Sequence, residues 1–382
     1  MTPDTDVTIE NVTGTGRLND WLTVPHTVFA NDPSWVAPLR LSEKERISPR
    51  HNPFFKFGEA TFFIAYRNGT PVGRISAQVN RLHLEQHGDS TGHFGFFDCI
   101  DDPLVAEALV AAASNWLRAR GLKKIRGPMS LTINQEIGVL VEGFDTSPAF
   151  MMPHATSAMG KLLETAGLNK AMDVLCYRMS PKDPPPIVER LANLARASEQ
   201  VSTRHFNMRH FKDDVRVALD IFNDAWSENW GFVPFDAAEI EHLAKEMRPI
   251  MRGKFGRIVE INGAPAAMMV VLPDLNKEIS TFNGRLLPMN WLKLATAIYM
   301  DKWKTARILL LGIRKQYRRS HLAPAILSML ASDYMALGRE YDLDWVEFSW
   351  ILETNEPMVK LAETAAGSAC KRYRIYEGDL AG

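Results

Sequence analysis

Residues 306–330 read Ala-Arg-Ile-Leu-Leu-Leu-Gly-Ile-Arg-Lys-Gln-Tyr-Arg-Arg-Ser-His-Leu-Ala-Pro-Ala-Ile-Leu-Ser-Met-Leu. An apolar strand ends at Ile313, a basic polar turn runs from Arg314 to Ser320, and a helix opens with Pro324 in its first turn. Proline fits there because that N–H would have no intrahelical partner. The free amide protons and dipole of a helix N-terminus favour an anion, so strand, basic turn and helix together predict a phosphate site. His83 and His87 form the only close histidine pair, and their i,i+4 spacing suits one helix face, yet no third metal ligand is evident and a surface turn is the simpler reading. Cys99, Cys176 and Cys370 are the three cysteines and make no C-x-x-C pair. A disulfide framework and a thiolate zinc site are therefore not expected, and a reducing compartment is. With no G-x-G-x-x-G, Walker A or G-x-S-x-G, nicotinamide, P-loop and serine-hydrolase chemistry have no footing.

The elements that must position such a turn come in two similar sets. Phe62–Ile75 and Arg257–Met269 each read as an apolar strand, an Asn-Gly-x-Pro turn and a second strand, and Asn-Gly is the strongest short hairpin signal. Leu163-Glu-Thr-Ala-Gly167 is echoed by Ala362-Glu-Thr-Ala-Ala-Gly367, a short helix closed by a C-cap glycine. Each half runs from helices (18–30; 213–227 and 236–249) through the hairpin to a strand (92–99; 306–313) and a long amphipathic helix (103–120; 322–338). A further strand (122–128; 344–351), a short helix and a last strand (171–179; 371–376) follow. The order predicts tandem duplication and a mixed α/β fold rather than a bundle or sandwich. Pro184-Pro185-Pro186 within the seam from Ser180 marks the division, followed by a short helix from Ile187 to Ser198.

The chain has 382 residues, 44 Lys plus Arg against 45 Asp plus Glu, and 46% hydrophobic content. Near-neutral charge argues against a protein built on nucleic-acid affinity. No apolar run reaches the ~18 residues of a membrane span. The acidic, polar start Met1-Thr-Pro-Asp-Thr-Asp6 does not read as a signal peptide. The expectation is a cytoplasmic protein, with peripheral contact at the inner membrane surface left open.

The segment around Arg318 resembles motif A of the GNAT superfamily of acyl-CoA N-acyltransferases, R/Q-x-x-G-x-G/A after a strand. Arg318 fits the first position and Ala323 the last, while His321 stands where the family has glycine. Trp345–Ile351 resembles the family's next strand, and Asn355-Glu-Pro-Met-Val-Lys-Leu361 its N-x-x-A-x-x-L-Y segment, with Ala362 in place of the tyrosine that protonates the leaving thiolate. Further stretches, Asp32-Pro-Ser-Trp35, Asn52-Pro-Phe-Phe55, Asn229-Trp-Gly-Phe-Val-Pro234 and Pro273-Asp-Leu-Asn276, are similar to a bacterial family of tandem GNAT-like proteins whose members include ceramide synthases. The resemblance implies two GNAT domains with a mixed α+β sheet. These are 1–180 lacking the CoA motif, a linker 181–200, and 201–382 binding acyl-CoA. It places the pyrophosphate at Gln316, Tyr317, Arg318, Arg319, Ser320, His321, Leu322 and Ala323. Leu311, Gly312 and Ile313 would lie along the pantetheine, with Asn355 nearby. Acyl-CoA is then a co-substrate, with no resident cofactor and no metal. The first half's equivalent turn, Asp98–Pro103, is acidic and would repel a pyrophosphate.

Amide formation from a thioester needs a base for the amine proton and a donor for the oxyanion. Candidate bases are Glu347 in an alternating strand, Asp274, which an Asx-turn explains equally, and His154, which reads equally as a local turn partner. Asn134-Gln-Glu136 suits a buried hydrogen-bonding site or a loop packed on the sheet end. Trp226, Trp230, Phe232 and Phe235 either line an acyl channel, touch a bilayer or pack between two helices. The favoured activity is fatty acylation of a sphingoid-base amine, 3-oxosphinganine foremost. Acylation of a soluble amine, aminoacyl-tRNA-dependent transfer and non-catalytic acyl-CoA binding stay open.

Overall fold

The computed structural model describes residues 7–181 and 185–380, so the acidic start Met1–Asp6 and Lys182-Asp183-Pro184 of the proline seam lie outside the described residues. Thirteen strands are described: β1 Val7–Asn11, β2 Gly58–Arg67, β3 Thr70–Asn80, β4 Thr91–Cys99, β5 Lys124–Gly127, β6 Val139–Glu142, β7 Asn169–Met179, β8 Val201–His205, β9 Gly256–Ile261, β10 Ala264–Pro273, β11 Thr305–Ile313, β12 Trp345–Leu352 and β13 Lys371–Asp379. They fall in two compact units. The first holds the described residues up to Leu175, with Ile279–Trp291 and those from Lys371 on; the second holds Cys176–Glu278 and Leu292–Cys370. The last strand thus belongs to the first unit, and β7 is divided between the two.

In the first unit the strand order is β1-β2-β3-β4-β5-β13, with β6 on β13. Neighbours are antiparallel except β4 and β5, which run parallel. Parallel neighbours need a crossover, supplied by the helix Pro103–Arg118. Asp102 caps it by accepting from Leu104 N at 3.0 Å, and Val105, Ala106, Leu109, Val110, Ala113 and Leu117 form the buried face at helical spacing. A second layer packs around Trp21, Phe54, Ile64 and Phe96.

The second unit repeats the plan in the order β12-β11-β10-β9-β8. Here β11 and β12 are the parallel pair and the helix Leu322–Glu340 is the crossover. In both units the Asn-Gly turn has positive φ at both residues, 51° and 73° at Asn68-Gly69 and 51° and 78° at Asn262-Gly263. That is the primed turn whose twist suits a two-residue hairpin. β1 and β8, missed in the sequence, are short strands added to the outer hairpin edge of each unit. Each carries only five residues, with no turn signal to announce it.

Candidate functional site

In the second unit β11 and β12 pair over only four positions, from Thr305↔Trp345 to Ile308↔Phe348. β11 then continues to Ile313 along β10, with a register shift between Val270 and Val271 that leaves Leu309 as the extra residue. A bulge bends its strand, so the parallel pair ends where β11 bends. Beyond that point Leu311 offers its carbonyl to the indole Nε1 of Trp226 at 3.3 Å. Trp226 stacks on Phe222 with centroids 4.9 Å apart and meets Trp350 of β12 edge-on at 5.2 Å. The helix Phe211–Trp226 comes close to β11, and a Cβ at Gly312 would lie 3.1 Å from that of Ala225. The aromatic loop 226–235 therefore resolves mainly as packing, with Phe232 buried and Phe222 also contacting Phe235 at 5.4 Å. Trp226 is the member that reaches the strand.

The basic turn is more ordered than a polar loop. One helical turn, Lys315–Arg318, fills it, closed by Tyr317 N donating to Arg314 O at 2.9 Å and Ser320 N to Tyr317 O at 3.0 Å. Arg-Lys-Gln-Tyr-Arg has no helix breaker, which is why the segment coils. The crossover helix then starts after His321, which is exposed, with Ala323 buried beneath it. The helix Phe211–Trp226 and the loop after it answer the cations: Asp220 holds Arg314, Asp224 accepts from Lys315 N at 2.8 Å, and Glu228 faces Lys315 at 3.3 Å and Arg318 at 3.8 Å. Arg319 is exposed and has no acidic partner among the described residues. Asn355 stands just before the helix Glu356–Ala366, its N–H bonded to Leu352 O at 2.9 Å. Ala362 is buried, so the position where the resemblance expects a tyrosine is filled by core packing.

At the paired end of the same strands lies a buried polar cluster. Glu347 is fully buried; its Oε2 accepts from Arg178 Nε at 3.2 Å, and its Oε1 has no partner. Arg307, opposite Glu347 in the register, donates from Nε to Ser349 Oγ at 2.9 Å. Asp274 accepts from Thr305 Oγ1 at 3.2 Å and from Asn276 N at 2.9 Å, the Asx-turn expected of Pro-Asp-Leu-Asn. Burial pushes its carboxyl up to about 6, helped by the charge of Glu347 and opposed by the Asn276, Thr305 and Arg178 contacts. The structure so brings Glu347 and Asp274 together. Sequence reasoning missed Arg178, Arg307 and Ser349, although an arginine inside an apolar strand already demanded a carboxylate on a neighbour.

His154 belongs to the first unit. Its Nε2 pairs with Asp32 Oδ2 at 2.8 Å, its ring rests on Phe29 at 5.5 Å, and its Nδ1 is buried without a partner. Burial lowers its pKa against the raising effect of Asp32. Glu136, from the Asn134-Gln-Glu136 stretch, accepts from Arg46 Nη2 at 2.9 Å and joins a buried network in which Arg46 also holds Glu43 and Arg74 holds Asp98. The histidine pair lies on the short helix Arg81–His87 with His87 exposed, as a surface turn would have it, but His83 is buried, with ring centroids 4.5 Å from both His87 and His93, and burial pulls its pKa down to about 4. Among the described residues no group of His, Cys, Asp and Glu is arranged to hold a metal ion.

In the acidic turn of the first unit, Asp98 is tied to Arg74 at 2.6 Å and Asp102 to Arg67 at 2.7 Å, while Asp101 is exposed. What fills the place is backbone. β4 and β5 part after His93↔Arg126, and the chain beyond β5 closes onto β4, with Met129 N donating to Phe94 O at 2.7 Å and Gln78 Nε2 to Met129 O at 2.5 Å.

No established family profile matches the chain. Two curated relatives do. Protein YghO of Escherichia coli is 37% identical over 365 residues, 95% of this chain and 93% of its own length. The bacterial ceramide synthase of Caulobacter vibrioides is 37% identical over 380 residues, 98% of each chain. Among solved structures, a tandem GNAT protein from the clavulanic acid biosynthesis pathway superposes with a TM-score of 0.57 at 12% identity over 99% of both chains. A GCN5-related N-acetyltransferase from Sphaerobacter thermophilus gives 0.55 at 12% identity over 100% of this chain and 98% of that one. The fold is that of tandem GNAT proteins.

Proposed function

The chain belongs to the family that contains the Caulobacter ceramide synthase and YghO, and on that premise we propose that it transfers a fatty acyl group from acyl-CoA to the amine of a sphingoid base, 3-oxosphinganine foremost. The observation that carries this reading is the 37% identity to a ceramide synthase across 98% of both chains. We assign the repeats as 1–180 and 201–382, joined by 181–200, with acyl-CoA taken by the second.

The thioester arm would enter where β11 and β12 part, its pantetheine along Leu311–Ile313 and its diphosphate at Gln316–Ala323 near the unpaired Arg319. Lys315 and Arg318 share Glu228, so they meet a dianion less freely. Glu347 takes the amine proton, since Arg178 fixes one carboxylate oxygen and leaves the other, buried, without a partner. The nitrogen lone pair then forms the N–C bond, the C–S bond breaks, and the electron pair leaves on sulfur. A CoA thiolate is a fair leaving group, so a chain with alanine at 362 can dispense with a tyrosine acid. Asp274 stands behind Glu347 as an electrostatic neighbour, and His154, bound to Asp32, takes no part.

The test is a mass-spectrometric search for N-acyl products from purified protein, an acyl-CoA panel and a sphingoid-base panel, with CoA thiol release measured in parallel. N-acyl sphingoid product with stoichiometric thiol is the expected result. Turnover confined to soluble amines, or thioester binding without release, would replace this reading.

A further inference from the structure

Between the third and fourth strands of each repeat, the two halves differ. In the first half β3 and β4 are joined by residues 81–90, a single short helix, whereas in the second β10 and β11 are joined by residues 274–304. The extra length holds the helix Asn290–Tyr299. Leu287, Met289, Trp291, Leu292, Tyr299 and Met300 are all exposed, Tyr299 at 86% and Leu287 at 73%, and they make up most of the large exposed apolar side chains among the described residues. Only Ala297 of this helix is buried. A helix that is apolar nearly all round and unburied is unstable in water unless another phase covers it.

The segment is nevertheless held. Arg252 donates to Ile298 O at 2.6 Å and to Asp301 Oδ1 at 3.0 Å, and the next aromatic, Trp303, is buried against Phe255. Its charges are of one sign where they are free. Arg285, Lys293 and Lys302 are exposed and have no acidic partner among the described residues, while Asp301 is engaged by Arg252. Tryptophan and tyrosine on an apolar helix with free cations suit the boundary between acyl chains and anionic headgroups. A second copy of the chain suits it less, because self-association through this segment would bring two sets of the cations Arg285, Lys293 and Lys302 onto one face with no acid to answer them.

We propose that this insertion lays the helix Asn290–Tyr299 flat on an anionic lipid surface and so brings the enzyme to an acceptor that resides there; the inference rests on the lipid-amine reading for its purpose but not for its test. Co-sedimentation of the full chain with phosphatidylglycerol-containing and pure phosphatidylcholine vesicles reads it. The wild type pellets with the anionic vesicles, and less so as salt is raised. The triple variant Trp291→Ser, Leu292→Ser, Tyr299→Ser binds at least about tenfold more weakly, with unchanged circular dichroism. Lys293→Glu with Lys302→Glu loses the preference for anionic vesicles. Equal pelleting of the triple variant, or a wild type that stays in solution with both vesicles, would overturn the assignment. So would a concentration-dependent doubling of mass without vesicles that the triple variant abolishes. Vesicle binding through this helix without any N-acyl sphingoid product would sustain the helix and remove the reading above, so the two failures are distinct.

Discussion

Glu347 and Asp274 are both buried carboxylates, but the chain treats them differently. Glu347 keeps one oxygen unpaired beside a fixed arginine. Glu347→Gln keeps the acceptor for Arg178 and removes only the base. The expected result is a fall in kcat of ~10²–10⁴ with acyl-CoA affinity unchanged; unchanged kcat in a folded variant would take the role away from Glu347. Asp274 is a stability device with the opposite sign to a salt-bridged aspartate. Burial lifts it from its ordinary 3.8 to about 6, so the folded chain holds that proton more tightly than the unfolded one. Stability is therefore lost as pH rises from ~4 to ~6, by about 3 kcal/mol, and is flat above. Asp274→Asn should flatten that slope and melt higher than wild type at pH 8. Glu239, pushed to about 7 by burial, slopes the same way, so the readout is the difference between variant and wild-type melts. Identical pH profiles would show that Asp274 does not titrate so. Both carboxylates were legible as candidates, Glu347 because a charge in an apolar strand stands out and Asp274 because it follows an apolar run in Pro273-Asp-Leu-Asn276. Their proximity was not, since it depends on β10, β11 and β12 lying side by side, and no local pattern states that pairing.

At the level of elements, the strand–turn–helix unit from Thr305 to Glu340 was readable because each boundary has a local cause: an apolar run, a cluster of cations, a proline in the first turn. The one-turn helix inside the basic segment was not, as four residues give no periodicity to detect. Nor were the acids of the preceding helix, placed ~90 residues earlier, visible as partners of these cations. They now rank the arginines. Arg318 looks toward Glu228 at 3.8 Å, whereas Arg319 faces solvent alone. Arg319→Glu should weaken acyl-CoA binding by about tenfold or more and Arg318→Glu by less, because the second loses a charge already half-answered. Calorimetric titration of both variants decides it. Equal losses would mean that Glu228 turns away on binding, and no loss from either would move the diphosphate off this turn.

Across the whole molecule the two repeats share a design and, besides the insertion between β10 and β11, diverge at the gap between their parallel strands. Each has an antiparallel pair with a register shift, between Arg74 and Ser76 in one and Val270 and Val271 in the other, beside a parallel pair that ends early. The echoes Asn-Gly and Glu-Thr-Ala made the duplication legible, since turns and caps are written in single residues. Which copy keeps an open gap was not legible: charge pointed to the second copy, but in the first Asp98 and Asp102 are paired with Arg74 and Arg67, so the difference between the copies lies in the backbone. In the first unit the gap is closed by the chain's own backbone, with Met129 bonded to Phe94 and Gln78. Gly95 marks how tight that closure is, because a Cβ there would lie 2.1 Å from Met129 O. Gly95→Ala must push this segment off the sheet, and should cost ~1–3 kcal/mol or more in chemical denaturation. If the first unit takes no thioester, that same variant binds acyl-CoA with wild-type affinity, and the native chain binds one equivalent. Two equivalents in a titration, or a Gly95→Ala variant as stable as the native chain but altered in acyl-CoA affinity, would mean that the closed gap opens in solution and that both repeats remain thioester docks.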